Sequence, residues 1–248
     1  MPHRILETNE VAHYLHLKPA DIDRLVKNQE IPVEKHGDRL VFRKVTIDAW
    51  ASQRILGLHG PRLTEYHQKT SHAASQFLAQ NALLPEMIRD DYIDPALAAK
   101  TRASALREMV ALAEKTGRVY DRQELLQGLE AREELCSTGL PGGFALLHTR
   151  QPEAYLFESS FIVLGRTVQP IPFGAPDGQA TSLFFLLACP DDRLHLHVLA
   201  RLCMLAQKTP IIEQLLQAAD AQSMYQSLVA AEAAVLEAGP QKAQEQPR

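Results

Sequence analysis

The chain has 248 residues, 46% of them hydrophobic and 23% charged, and its formal net charge is −4. This charge argues against a protein that coats nucleic acid along its whole surface, although it allows a local basic face. The N-terminus MPHRILETNE lacks the apolar core of a signal peptide, and no window approaches the roughly 18 apolar residues of a membrane span. We therefore expect a cytoplasmic protein without membrane contact.

Cysteine and histidine spacing gives no sign of a metal site. Cys136, Cys189 and Cys203 form no CxxC pair, and the ten histidines are scattered without ligand spacing. We expect reduced thiols, no bound metal and no cofactor.

The hydrophobic pattern predicts two folded units. Residues 1–56 have a small core pattern of their own, and residues 77–237 form a larger unit. Residues 57–76 are polar and lose helical periodicity, which is typical of a linker, although Leu63 and Tyr66 are compatible with a short helical turn. Residues 238–248 are polar and contain two prolines, so we predict a disordered tail.

The first unit begins with two short amphipathic helices joined by a tight turn. Pro19 falls in the first turn of the second helix, where proline is favoured. The following residues alternate around Gly37-Asp38 and predict a β-hairpin, and a last helix carries Trp50, which we expect in the core.

These elements resemble the excisionase family of winged helix-turn-helix domains, related to MerR-type regulators. The matching stretches are TNEVAHYLHLKPADIDRLVKNQEIP and GDRLVFRKVTIDAW. The resemblance implies DNA contact through the second helix and the hairpin. The cations available there for phosphate contact are Lys18, Arg24, Lys27, Lys35, Arg39 and Arg43.

Acidic residues oppose this interpretation. Residues 1–56 hold nine Lys/Arg against eight Asp/Glu, and Asp21 and Asp23 lie on the second helix, where they would repel the DNA backbone. The alternative is a helix-turn-helix kept for protein contact or dimerisation.

The second unit alternates helices and strands. Helices are predicted over residues 95–117, 121–135 and 193–208, followed by two more towards residue 237. The segments GFALLH, SSFIVLGRTVQPIPF and SLFFLLACP predict strands, and the last is apolar on both faces, as in the centre of a sheet. This order predicts an α/β layered domain.

Two stretches of this unit are similar to the enzyme IIA domain of the fructose/mannitol class of the sugar phosphotransferase system, a class that includes nitrogen-regulatory members. They are LEAREELCSTGLPGGFALLHTR and PFGAPDGQATSLFFLLACPDDRLHLHVLARLCMLAQ. The resemblance implies a layered sandwich with a mixed sheet flanked by helices. It also implies a single histidine that takes a phosphoryl group from a histidine-containing phosphocarrier protein.

Carried over by position, the resemblance implies five site residues. His148 falls on the phosphoacceptor, Arg132 on the arginine beside it and His195 on the second histidine. Arg150 falls on a basic position after the acceptor, and Thr138 on the threonine of the preceding turn, which is expected to contact the phosphate. Leu147 departs from the family, which usually has proline before the acceptor, and proline would make this bend more rigid.

The chemistry of these residue types suits phosphoryl transfer. A neutral imidazole is a competent nucleophile at neutral pH, and Arg132 and Arg150 can stabilise the charge on the transferred group. We expect backbone N–H groups of Gly142 and Gly143 to contact the phosphate and His148 to lie open to the incoming anion. His195 and His197 alternate along one helix and cannot share a face, so we expect at least one of them in solvent.

Together these features predict a phosphorylation-responsive regulator that acts, if active, as a phosphohistidine carrier. Phosphate on His148 adds about −1.5 to −2 charges, which would alter docking of the two units and DNA occupancy. One alternative is an unphosphorylated adaptor that binds a kinase or a transporter, and Leu147 supports it. Another is a transport component that passes phosphate to a separate IIB protein.

Overall fold

The computed structural model describes residues 5–15, 17–37, 39–73, 82–149 and 155–237, and it omits the side chains of residues 68–73, 192 and 193. Arg150 and the predicted tail of residues 238–248 lie outside this description. Within the described residues, none of the helices combines the length and the apolar character needed to cross a bilayer.

The first unit contains the predicted helix pair and hairpin. Its elements are β1 (Ile5–Leu6), α1 (Thr8–Tyr14), α2 (Pro19–Lys27), β2 (Glu34–His36), β3 (Arg39–Arg43) and α3 (Lys44–Leu56). Strand β3 pairs antiparallel with both β2 and β1, so the hairpin is part of a three-stranded sheet whose edge strand β1 was not predicted. Trp50 is only half-buried, because its indole N–H donates to the Glu30 carbonyl at the surface of the unit, 2.6 Å away.

The segment predicted as a linker contains a 14-residue helix, α4 (Gly60–Ala73). Leu63 and His67 are buried on one face of it, four residues apart. A histidine in the buried stripe hides the apolar repeat that would have revealed the helix, since His is counted as polar in sequence patterns.

The second unit is built around a five-stranded mixed sheet. Its elements are α5 (Leu84–Met87), a 3-10 turn (Asp90–Tyr92), β4 (Ile93–Leu97), α6 (Arg102–Glu114), α7 (Arg122–Leu135), β5 (Gly139–Leu140), β6 (Phe144–Leu147), β7 (Phe161–Ile171), β8 (Thr181–Ala188), α8 (Asp192–Lys208), α9 (Ile211–Gln217) and α10 (Ala221–Glu237). Strand order is β4-β7-β8-β6-β5; β4/β7 and β6/β8 are parallel, and β7/β8 and β5/β6 are antiparallel. The central position of β8 confirms the prediction from its two apolar faces.

One predicted helix starts later than expected. Residues 95–97 belong to strand β4, and the helix begins only at Arg102, where the side chain of Thr101 accepts a hydrogen bond from Ser104 N–H. Threonine at this position caps the helix and fixes its start. The short strands β4 and β5 were both missed, because neither is long enough to show alternation.

Helix α8 joins the two units. It contacts α9 and α10 of its own unit and α3 and α4 from the N-terminal part of the chain. His195 and His197 are therefore both buried, 6% and 0% exposed, and the prediction that one of them is solvated is wrong. One face of this helix was expected to meet water, but α3 and α4 pack against it.

Candidate functional site

His148 immediately follows strand β6, at its carboxyl end. Leu147, which stands where the family usually has proline, is buried and pairs with Leu186 of the neighbouring parallel strand β8. The backbone before His148 is thus a regular strand instead of a rigid proline bend, and His148 still lies at the carboxyl end of the strand.

Two hydrogen bonds fix the tautomer of His148. Its Nδ1 lies 2.9 Å from the Leu146 carbonyl oxygen, which can only accept, so Nδ1 carries the proton. Its Nε2 accepts a hydrogen bond from Arg132 Nε at 3.2 Å. The imidazole is therefore neutral, with the lone pair of Nε2 directed at the guanidinium.

Arg132 comes from the last turn of α7 and forms no ion pair with a carboxylate among the described residues. Its Nη1 donates to the carbonyl of Cys136 at 3.0 Å and contacts the Cys136 sulfur at 3.4 Å. Within the described part of the chain, its Nη2 is buried without a hydrogen-bond partner. The adjacent Glu133 is engaged elsewhere, with Arg102 and Thr138.

His195 of helix α8 completes the cluster. Its ring centroid lies 5.2 Å from that of His148, at an interplanar angle of 57°. Burial lowers the pKa of His148 well below 6.5, and the charge of Arg132 lowers it further. Burial also lowers the pKa of His195 to about 4, with smaller effects from Arg132 and Lys44. Both rings are neutral at pH 7.

The site is closed, and the expectation that His148 lies open is wrong. His148 is 1% exposed and Arg132 is 2% exposed. A cavity of about 560 Å³ lies beside Arg132; residues 29–32 and helix α3 line one side, and Arg132, Leu135 and Cys136 line the other. The N-terminal unit therefore stands over this side of the site.

The glycine turn lies at the wrong end of the strand to contact a group on His148. Gly142 and Gly143 connect β5 to β6 with φ of +94° and +82°. Five residue steps at about 3.3 Å separate Gly143 from His148, roughly 16 Å along the strand. The Gly142 N–H instead donates to Asp177 at 3.0 Å. The glycines are required by the left-handed turn, and their predicted contact with phosphate is wrong.

Thr138 is hydrogen-bonded to Glu133, the neighbour of Arg132, which the sequence did not single out. Its hydroxyl donates to Glu133 Oε2 at 2.6 Å, and its backbone N–H donates to the same carboxylate. Arg102 pairs with Glu133 from the other side at 2.7 Å. These bonds occupy the hydroxyl predicted to face the phosphate. Glu133 was missed because its sequence context, AREEL, is that of any solvated helix.

All six cations predicted for DNA contact are exposed. Two of them have acidic partners: Arg24 pairs with Asp21 at 2.9 Å and Arg43 with Glu34 at 2.6 Å. The other four form no ion pair with a described residue, and they are Lys18, Lys27, Lys35 and Arg39.

In the described ranges, no group of three or more His, Cys, Asp or Glu residues is placed to hold a metal ion.

The mixed sheet with its flanking helices and the histidine beside an arginine define the second unit as an enzyme IIA-type domain, preceded by a helix-turn-helix domain. The chain belongs to the family described as phosphoenolpyruvate-dependent sugar phosphotransferase system, EIIA 2, whose model matches residues 86–230. A model described as helix-turn-helix domain matches residues 5–55.

Characterised relatives cover the second unit. A nitrogen regulatory protein of Bradyrhizobium diazoefficiens is 32% identical over 148 residues, which are 58% of this chain and 94% of the relative. The fructose-specific EIIABC component of Bacillus subtilis is 28% identical over 54% of this chain, but only 21% of that protein is matched. The crystal structure of nitrogen regulatory protein IIA-Ntr from Neisseria meningitidis superposes with a TM-score of 0.54 at 28% identity, and covers 59% of this chain and 99% of that one.

Proposed function

We propose that His148 accepts a phosphoryl group from a histidine-containing phosphocarrier protein, and that the phosphorylation state of His148 changes DNA binding by the helix-turn-helix domain. One observation carries the proposal. Arg132 is a buried cation without a carboxylate partner among the described residues, and it is hydrogen-bonded to the lone pair of the acceptor imidazole. Buried charges are normally paired, so the Arg132 guanidinium is suited to bind an incoming anion.

The transfer needs no added reagent. Nε2 of His148 attacks the phosphorus atom of the donor's phosphohistidine; the new N–P bond forms as the donor N–P bond breaks, and the electron pair returns to the donor imidazole. A donor ring protonated on its other nitrogen leaves as neutral imidazole. The positive charge that develops on His148 is stabilised by the Leu146 carbonyl, which keeps its hydrogen bond to Nδ1–H. Arg132 exchanges Nε2 for the equatorial phosphoryl oxygens.

The relatives favour regulation or phosphoryl transfer, and their names include nitrogen regulatory protein and fructose-specific components of the phosphotransferase system. The helix-turn-helix domain adds exposed cations on and beside α2 and on the hairpin. A regulator that joins a phosphoacceptor domain to a DNA-binding domain accounts for the presence of both the IIA domain and the helix-turn-helix domain in one chain.

The test is to incubate the protein with phosphoenolpyruvate, enzyme I and the phosphocarrier protein, and to map the acid-labile phosphate. His148→Ala should abolish the label. Arg132→Gln should reduce the rate of labelling by about 10²-fold, because it removes the charge that stabilises the transferred group. The matched control is His36→Ala, an exposed histidine of the hairpin, which should leave the rate unchanged.

DNA binding is tested by gel shift over a random DNA pool at several salt concentrations. Arg39→Ala should lower the salt slope by about 1, since each phosphate contact contributes about one released counterion. Arg24→Ala should change it less, because Arg24 is already paired with Asp21. Equal slopes in both variants and in the wild type would indicate a helix-turn-helix used for protein contact.

The burial of His148 favours one alternative, an adaptor that never carries phosphate. In that case a protein partner such as a kinase or a transporter binds the surface of the IIA domain. Unchanged partner affinity in both His148→Ala and His148→Asp, together with an absence of label, would support the adaptor.

A further inference from the structure

We infer that helix α3 of the helix-turn-helix domain competes with the phosphocarrier protein for the face of the IIA domain that contains His148. The chain thus inhibits its own phosphorylation until the N-terminal unit moves away. This inference rests on the proposed phosphoryl transfer to His148.

A buried stripe of α3 faces helix α8. Lys44 lies near enough to His195 for its charge to act on that ring, and it bonds to Asp48 at 3.0 Å. Ser52 follows Asp48 at the same four-residue spacing and is also buried. Residues at this spacing share one face of a helix, and α3 contacts α8, so this face of α3 meets the helix that carries His195.

Helix α4 fastens the N-terminal unit in this position. Gln207 of α8 bridges the connection between α3 and α4: it accepts from Gly60 N–H at 3.1 Å and donates to the Leu58 carbonyl at 2.9 Å. Six residues nearer the start of α8, Arg201 donates to His67 of α4 at 2.8 Å, and both side chains are buried. The contact is specific as well as apolar.

The closed arrangement leaves no room for transfer. Nε2 of His148 and Nε of Arg132 are in direct hydrogen-bond contact at 3.2 Å, so a phosphorus atom with three oxygens cannot stand between them. In-line transfer also requires the donor histidine on the far side of that phosphorus. A protein donor must reach Nε2 along the path that the Arg132 side chain and the N-terminal unit occupy.

The face predicted to contact DNA stays uncovered in the same arrangement. Asp23, Arg24 and Lys27 of α2 are exposed, as are Lys35 and Arg39 of the hairpin. The helix-turn-helix domain therefore contacts the IIA unit through α3, and its α2 and hairpin remain accessible to DNA. DNA binding and occlusion of His148 are compatible, whereas occlusion and docking of the phosphocarrier exclude each other.

The direct test measures how accessible His148 is in the full chain, without phosphoryl transfer. Diethyl pyrocarbonate modifies accessible neutral imidazoles, and mass spectrometry gives the rate at each histidine; the exposed His36 and His59 serve as internal references. In the wild type His148 should react at least 10-fold more slowly than both. Ser52→Arg, which places a long charged side chain in the α3–α8 contact, should raise the rate at His148 by 10-fold or more.

Two further variants keep the inference falsifiable if Ser52→Arg misfolds. Gln207→Ala removes both bridging hydrogen bonds and should raise the rate at His148 several-fold. Asn9→Arg adds the same charge at an exposed position of α1 and should leave the rate at the wild-type value. A wild-type rate at His148 equal to that of His36, or no increase in either opening variant, would overturn the inference.

Phosphoryl transfer to the same proteins separates the two proposals. If both are right, the phosphocarrier labels Ser52→Arg and Gln207→Ala faster than the wild type. If His148 becomes reactive towards diethyl pyrocarbonate but takes no phosphate, the proposed function fails while the occlusion by α3 stands. If the wild type is labelled as fast as the opening variants, the occlusion fails while the function stands.

Discussion

Helix α8 contributes a side chain to each of two buried clusters that contain an arginine–histidine contact. The two contacts have similar geometry, but the clusters differ in charge balance. Arg201 Nε donates to His67 Nε2 at 2.8 Å, and Arg132 Nε donates to His148 Nε2 at 3.2 Å. Arg201 also pairs with the buried carboxylate of Glu232 at 2.6 Å. No described carboxylate forms an ion pair with Arg132.

The difference in charge balance distinguishes a structural cluster from the proposed phosphoacceptor site. Glu232 balances the charge of Arg201 and accepts hydrogen bonds from the backbone N–H groups of Leu83 and Leu84, so it ties three parts of the fold together. The cluster around Arg132 has the same donor and the same ring, but no described carboxylate balances its charge. An unbalanced buried cation costs stability, and a phosphoryl group on His148 would supply the missing charge.

The largest effect on stability is expected when the balanced cluster loses its carboxylate. Glu232→Gln keeps the shape of the side chain but leaves Arg201 buried without a counter-charge, which should lower the free energy of unfolding by about 3–5 kcal/mol. Urea denaturation followed by circular dichroism measures the loss. A loss below about 1 kcal/mol would show that Arg201 does not depend on Glu232, and the comparison of the two clusters would fail.

Mild acid should destabilise both clusters. Burial lowers the pKa of His67 to about 2 and that of His195 to about 4, whereas both have a pKa near 6.5 in the unfolded chain. Below pH 6.5 the unfolded state therefore binds protons that the folded state does not, and stability falls as the pH falls. At pH 5 the loss should be about 2 kcal/mol for each of these histidines.

Urea unfolding midpoints at pH 7.5, 6.0 and 5.0 check this dependence. His195→Gln should remove its share of the loss at pH 5, while His59→Gln, at an exposed position, should leave the pH dependence as it is in the wild type. Midpoints that do not change between pH 7.5 and 5.0 would contradict neutral, buried rings.

A smaller effect is expected at Thr138. Thr138→Val deletes the hydroxyl that donates to Glu133 and should cost about 1–2 kcal/mol of stability, since the carboxylate keeps the backbone N–H of residue 138 and the Arg102 contact. The rate of phosphoryl transfer per folded molecule should stay the same. A loss of transfer at unchanged stability would instead return Thr138 to the phosphate site.

Much of the sheet and part of the site could be predicted from the sequence. The apolar runs of β6 and β8 identify them as buried strands, and the order of the family motifs brought Arg132, His148 and His195 into one hypothesis. These three residues come together because the carboxyl end of β6 packs against α7 and α8. Local sequence patterns do not indicate that packing, whereas a family resemblance does.

The errors arose where tertiary contacts override local chemistry. His148 is buried against Arg132 and His195, and α3 packs on the helix that carries His195. Nothing in the residues around His148 indicates that packing. Glu232 lies in an alanine-rich helix and looks solvated, although its partner Arg201 is buried 31 residues earlier in the chain. Gly142 and Gly143, which were expected at the phosphate, instead form the turn at the other end of β6.

The most direct test of the account is to identify the atom that carries the phosphate. The protein is labelled through the phosphocarrier, with Ser52→Arg as the opened form, and the phosphorylated nitrogen is identified by NMR of the 15N-labelled histidine rings. We predict phosphate on Nε2 of His148, because Nδ1–H is bound to the Leu146 carbonyl and Nε2 faces Arg132. Phosphate on Nδ1 or on another residue, or no phosphate on a His148 shown to be accessible, would contradict the account.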